Sequence, residues 1–335
     1  MKNSLFYFLF IFTFSLFSQE TIQDTISLQN LEEVIISSIR VKQNAPIAFT
    51  NVSKDELSKK NLGQDLPILL NSLTSVVTTS DAGAGVGYTG IRIRGINAQS
   101  TNITINGIPY NDAESLGTYW VDLPDFASSV ENLQLQRGVG TSTNGSSAFG
   151  ASINILTDLV SKTPYFENSN SIGSYNTLKN TFKFSTGILN DYFEFSGRLS
   201  KIDSDGYIDR SSSDLKSYFL QVNYKKENTL RKALSFGGHE ITYQAWNGVP
   251  LNYLATNRTF NSYTYENEVD NYQQTHYQLH YSKQSSESTK LKIAYHFTHG
   301  EGYYEQEKLS QKFNDYGLDN IIISADTIFT TNLVR

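Results

Sequence analysis

From about residue 171 the chain is written in strand-length units, with apolar and polar side chains changing places at each step. Phe193, Phe195 and Leu199 alternate with Glu194, Ser196, Arg198 and Ser200. Tyr218, Leu220, Val222 and Tyr224 alternate with Phe219, Gln221, Asn223 and Lys225. Tyr277, Leu279 and Tyr281, then Leu291, Ile293, Tyr295 and Phe297, continue the pattern. A period of two belongs to a β-strand with two unlike faces. Many such strands in series limit the fold to a sandwich or a barrel. Alternation alone leaves both open, because a sandwich also turns a polar face to solvent. The Tyr-rich apolar face and unequal polar stretches such as 247–270 favour a barrel with girdles, a wet lumen and loops of different length.

The N-terminus narrows the choice. Lys2 is followed by an apolar run from Leu5 to Phe17, then by Ser18, Gln19 and Glu20, the order of a secretory signal peptide over 1–18. That run is shorter than the ~20 residues of a helical span. No later run is long enough, so a membrane protein of this sequence crosses by a barrel. Aromatics reach 13%, with 21 Tyr and 20 Phe, side chains that favour pleated surfaces and membrane–water boundaries. The charge of −6 argues against a nucleic-acid partner. The absence of cysteine excludes disulfides, thiolate metal sites and cysteine nucleophiles.

Residues 19–43 form a polar lead ending in a β-branched segment. There Glu33, Val34, Ile35, Ile36, Ser37 and Ser38 suit either an ordinary edge strand or a strand offered to a partner. Residues 44–160 read as a small α/β domain. Ser53 and Glu56 make a capping box ahead of Leu57, and Gly63 marks a helix stop. Asp65 is the expected cap of a second helix, with Pro67 in its first turn. Short strands follow: Ile91 and Ile93 on one face with Arg92 and Arg94 on the other, Ile103 and Ile105 running into the hairpin signal Asn106-Gly107, 130–137, and Ile153 with Ile155. Between the last two lies a Gly/Ser/Thr loop, 138–150. The strand-rich remainder is 161–335.

Apparent chemical motifs dissolve on inspection. Gly85, Gly87 and Gly90 spell G-x-G-x-x-G, but the strand pattern of 91–94 follows where a dinucleotide site needs a helix, so they read as a flexible loop. His276 and His280 share a strand face yet lie ~13 Å apart, too far for one metal ion. They read as lumen-lining residues. No catalytic set, metal site or cofactor fingerprint stands out, and the chain is not expected to be an enzyme.

Gly90-Ile-Arg-Ile-Arg94-Gly95, Ile103-Thr-Ile-Asn106-Gly107-Ile-Pro109, the segment 130–138 and Phe149-Gly150-Ala-Ser-Ile153-Asn154-Ile155 resemble, in order and spacing, the plug signature of TonB-dependent receptors. The likeness covers about 32–157. It implies an α/β plug inside an antiparallel transmembrane β-barrel of about 22 strands in the outer membrane. It also implies uptake of a scarce ligand, a ferric siderophore or ferric citrate-like chelate, driven by the proton gradient through TonB and its inner-membrane complex. Residues 33–38 are similar to the TonB box. The 137–150 loop and the stretch 243–250 are most similar to ferric-citrate-type receptors of Bacteroidetes, although Asn106 stands where family plugs often carry Asp. On this resemblance Arg92, Arg94 and Arg137, with Glu131, are the expected lock, the arginines meeting wall carboxylates. The expected ligand-binding apices are 83–90 and 111–119, with Tyr88, Tyr119 and Trp120 as contacts.

About seven or eight alternating segments are present. A closed barrel that small is filled by its own side chains and has no room for a plug. The chain is therefore expected to carry only the first part of a barrel. Two other readings remain: a passive porin, which would not need 33–38, and a secreted all-β binding protein or glycan hydrolase, which would not show heat-modifiable migration in detergent.

Overall fold

The computed structural model describes residues 40–41, 44–140, 149–286, 288–323, 326–328 and 330–334. The signal peptide, residues 33–38 and the middle of the 138–150 loop lie outside the described residues.

The α/β domain begins with β1 (Phe49–Ser53) and α1 (Lys54–Lys60). Ser53 caps α1: its hydroxyl accepts from the Glu56 N–H while the Glu56 carboxylate accepts from the Ser53 N–H, the reciprocal box that the sequence predicts. The stop comes at Asn61, two positions before Gly63. The second helix, α2 (Leu66–Leu69), is a single turn. Asp65 does not cap it; its buried carboxyl takes the Thr89 hydroxyl at 2.9 Å instead. Strands β2 (Val76–Ser80) and β3 (Thr89–Ile93) form a separate hairpin. Ile91 and Ile93 of β3 are buried and Arg92 is exposed, as the alternation requires; each buried isoleucine is worth roughly 1.5–3 kcal/mol.

The central sheet adds β4 (Thr101–Ile105), β5 (Ile108–Pro109), β6 (Val130–Arg137) and β7 (Ala151–Thr157), in the order β1-β6-β7-β4-β5. Only the β4–β7 pair within it is parallel. Asn106 and Gly107 join β4 to β5 with both φ positive, the geometry of a tight type I′ turn.

Seven strands follow as an antiparallel meander: β8 (Pro164–Ile172), β9 (Leu178–Thr186), β10 (Phe193–Ser204), β11 (Ser213–Lys226), β12 (Thr229–Tyr243), β13 (Val269–Gln284) and β14 (Lys290–Tyr304). The first starts before residue 171 because it carries few apolar side chains to mark its period. Two short hairpins come after: β15 (Glu307–Lys312) pairs with β18 (Thr330–Val334), and β16 (Ile321–Ile323) with β17 (Asp326–Ile328).

Which face is buried decides between sandwich and barrel. Phe193, Phe195, Leu199, Leu220, Leu279 and Ile293 are exposed, whereas Glu194, Arg198, Gln221, Asn223 and His276 are buried. Apolar outside and polar inside is the reverse of a soluble sandwich and the arrangement of a membrane wall around a wet interior. The α/β domain sits against the polar face. Connections 173–177, 205–212 and the long 244–268 lie at one end of the wall, and 187–192, 227–228 and 285–289 at the other. The long-loop end is the outer end in barrels of this kind.

Candidate functional site: the domain–wall contact and the cleft above it

Two carboxylates of the α/β domain meet a row of wall cations. Asp125 pairs with Lys179 of β9 at 2.9 Å and with Arg198 of β10 at 3.4 Å, and all three are buried. The same carboxylate accepts from Asn61 and Ser128 of its own domain, and from Thr181 and Ser200 of the wall. Burial alone would raise Asp125; Arg198 and Lys179 outweigh it and hold the carboxyl well below the usual range. Arg198 also reaches the Ser129 hydroxyl at 2.8 Å and the Pro124 carbonyl at 3.3 Å.

A second lock lies just past β7. Asp158 pairs with Lys183 of β9 at 2.6 Å and with Lys54 of α1 at 2.7 Å. These cations outweigh burial and keep its carboxyl low. Lys232 of β12 donates to the Asp158 carbonyl at 3.1 Å and to the Thr157 hydroxyl at 3.2 Å. Between the locks the contact is apolar: Phe126 meets Phe236 of β12 at 5.4 Å between ring centroids, and Phe219, Leu234 and Phe236 complete the domain's core. The approach depends on Gly238, where a Cβ would fall 2.5 Å from Pro124 Cδ and 2.6 Å from the Asp122 carbonyl.

The lock therefore differs from the one expected, in residues and in sign. Arg137 is spent inside its own domain, on the Thr74 carbonyl and the Thr50 hydroxyl, each at 2.9 Å. Glu131 faces Lys54 at 3.4 Å, also within the domain. Arg92 and Arg94 are exposed and touch none of the seven wall strands through an ion pair among the described residues. The domain supplies anions and the wall cations. A strand's alternation marks Lys179, Lys183 and Arg198 as inward, but not what they meet. The pair Gly237-Gly238 inside a strand was the readable signal of a close approach.

Above the locks, towards the long loops, a cleft of about 1210 Å³ lies between residues 108–122 and the wall strands β12, β13 and β14. The glycine-rich loop borders it; there Gly83 and Gly87 have positive φ, and the Ala82 carbonyl accepts from the Tyr207 N–H of a wall loop at 2.7 Å. A strand follows this loop, not a helix. The Tyr88 hydroxyl donates to Asp270 of β13 and contacts Glu240 of β12 at 3.3 Å, and its ring meets Trp246 edge-on at 5.3 Å. Tyr119 lines the cleft and is exposed. Trp120 does not: it is 2% exposed, in the domain core, because a 3-10 turn (Trp120–Asp122) rotates it inward. As a ligand contact it is corrected to a core residue.

Asp122, one turn on, is buried at the edge of the cleft with no hydrogen bond or ion pair to its carboxylate among the described residues. Burial, with repulsion from Asp270 and Asp112, pushes it up to about 7. Burial likewise pushes Asp81 up to about 6.

Residues 41–152 match the family described as TonB-dependent Receptor Plug Domain. A curated relative, the probable TonB-dependent siderophore receptor PirA of Acinetobacter baumannii, is 25% identical over 221 residues, 62% of this chain and 27% of the relative. Among solved structures, the ferric-catecholate import receptor Fiu of E. coli K12 superposes with a TM-score of 0.65 at 14% identity, covering 87% of this chain and 44% of Fiu. The siderophore receptor PiuA of Acinetobacter baumannii gives 0.62 at 13% identity, covering 84% and 41%. The chain spans about a quarter of the length of the curated relative and less than half of these solved structures. Residues 41–152 thus carry the plug domain of TonB-dependent receptors, and the strands that follow share the fold of solved outer-membrane receptors of this kind, with their apolar side chains turned outward.

Proposed function

We propose that the protein imports an iron chelate across the outer membrane, with the work supplied through TonB acting on residues 33–38. The names of PirA and Fiu supply the ligand class, siderophores and ferric catecholates respectively. The observation that carries the coupling is how the chain enters the plug. Arg40 donates to the Asn154 carbonyl of β7 at 2.8 Å and to the Asn132 side chain of β6. The Val41 N–H donates to Gln134 Oε1 at 2.8 Å, and Gln134 returns a bond to the Val41 carbonyl at 3.1 Å. A pull on 33–38 thus arrives on β6 and β7. Each of these strands borders one lock: Asp125 lies shortly before β6, and Asp158 directly follows β7. Tension on the pair is applied next to the ion pairs that hold the plug in the wall, and displacing them opens a path through the lumen.

Removing residues 33–38 tests this reading. Uptake of radiolabelled iron chelate is expected to fall to background, while chelate binding to the purified protein and its heat-modifiable migration stay as in the intact protein. Undiminished uptake without 33–38 would sink the energised reading and leave a passive channel.

A further inference from the structure

The cleft at the outer end has a lopsided chemistry. Six carboxylates line it, from Asp81, Asp112, Glu114, Asp122, Glu240 and Asp270, and among the described residues no lysine or arginine does. Among the described residues, the wall's buried cations Lys179, Lys183, Arg198 and Lys232 are committed lower down, at Asp125 and Asp158. Acidic side chains in a solvated cleft would be unremarkable by themselves. Two of them are exceptions: Asp122 is 6% exposed with no hydrogen bond or ion pair to its carboxylate among the described residues, and Glu240 is 1% exposed with its Oε2 unpartnered. A buried carboxylate with no partner is costly, and a counter-charge brought by a ligand relieves it. Aromatic faces stand beside the acids: Tyr88 against Trp246 at 5.3 Å, and Trp246 against Tyr304 at 6.2 Å. Rings of this kind attract cations through their faces. No group of three metal-ligating side chains converges among the described residues, so a bare metal ion has no coordination shell here.

We infer that the outer cleft selects ligands bearing a positively charged organic group, an ammonium or guanidinium, that lies over the Tyr88–Trp246 pair and faces Asp122, Glu240 and Asp270. This rests on the receptor reading and sharpens it: the preferred iron chelate is cationic. Anionic chelates of the ferric citrate type meet like charge at the cleft. Electrostatic complementarity of this sort sets which partner is admitted more than how tightly it is held.

The chain contains two tryptophans, and Trp120 is buried in the core, so Trp246 reports on the cleft. Emission of the detergent-purified protein is titrated with 1-methylnicotinamide, a planar organic cation, and separately with iodide; Trp246→Phe supplies the blank. The cation is expected to quench Trp246 about tenfold more effectively than the anion, and Asp122→Asn to remove most of that preference. Because Asp122→Asn could disturb packing, Asp112→Asn combined with Glu114→Gln, on an exposed loop, serves as a second variant and is expected to weaken the preference about twofold. Equal or stronger quenching by iodide, or a preference untouched in both variants, overturns the inference. Iron uptake separates this from the parent reading. Import of the ferric complex of desferrioxamine B, which keeps a free ammonium, is expected to exceed that of its N-acetylated form. Import of ferric citrate in preference to both overturns the cation inference and leaves the receptor standing. Cation-selective quenching with no chelate imported removes the iron-uptake reading and keeps the cleft's selectivity.

Discussion

Asp125 concentrates more polar contacts than any residue the sequence singled out, and it does so from a left-handed backbone conformation with φ of 51°. Its carboxylate answers two buried cations from two wall strands. Removing one partner of a buried ion pair leaves the others unpaired, at a cost of about 3–5 kcal/mol. Asp125→Ala is therefore expected to lower the melting temperature in detergent and to raise ion conductance in planar bilayers as the plug loosens; unchanged conductance would show that the lock does not seal. Asp122 gives a test by pH. Its folded value of about 7 lies above the ordinary 3.8, so the folded protein holds that proton more tightly than the unfolded chain. The stabilisation is present below 3.8 and is lost as pH rises towards about 7. The titratable groups facing it among the described residues are Asp112, Glu240, Asp270, Tyr88, Tyr110 and Tyr272, so no cation offsets the charge. Asp122→Asn should accordingly raise the melting temperature above neutrality and change it little in acid, and equal gains at both ends would refute the assignment. Neither aspartate stood out in the sequence. Trp120 did, because its type suits a ligand contact, yet a single 3-10 turn sends it into the core and presents Asp122 near the cleft.

At the scale of elements, what was legible was local. The Ser53–Glu56 box, the Asn106-Gly107 turn and the alternation of β9 to β14 depend on residues a few positions apart, where hydrogen-bond reach and pleat geometry decide the outcome. The locks were not legible, because they join residues far apart in sequence. Polar faces told which side chains point inward, and nothing about which carboxylate each would find. Gly238 marks the boundary between the two cases. Its place in β12 carries a signal, but its purpose is visible only with Pro124 and the Asp122 carbonyl beside it. Gly238→Ala should force plug and wall apart, costing about 1–3 kcal/mol as overpacking does. Faster protease cleavage around 122–129, with the wall's heat-modifiable migration kept, is the expected result.

For the molecule as a whole, the wall is no passive cylinder. Its outward side chains answer lipid, its inward cations answer the plug's aspartates, and Phe219, Leu234 and Phe236 belong to the plug's own core. That last feature bears on the order of events during biogenesis. A plug delivered to the membrane ahead of β11 and β12 has an open apolar side where Phe126 should meet Phe236. Alone, it leaves that side uncovered, and Phe219, Leu234 and Phe236 complete its core only once those strands stand beside it. Plug maturation then becomes a built-in check that the wall has been made.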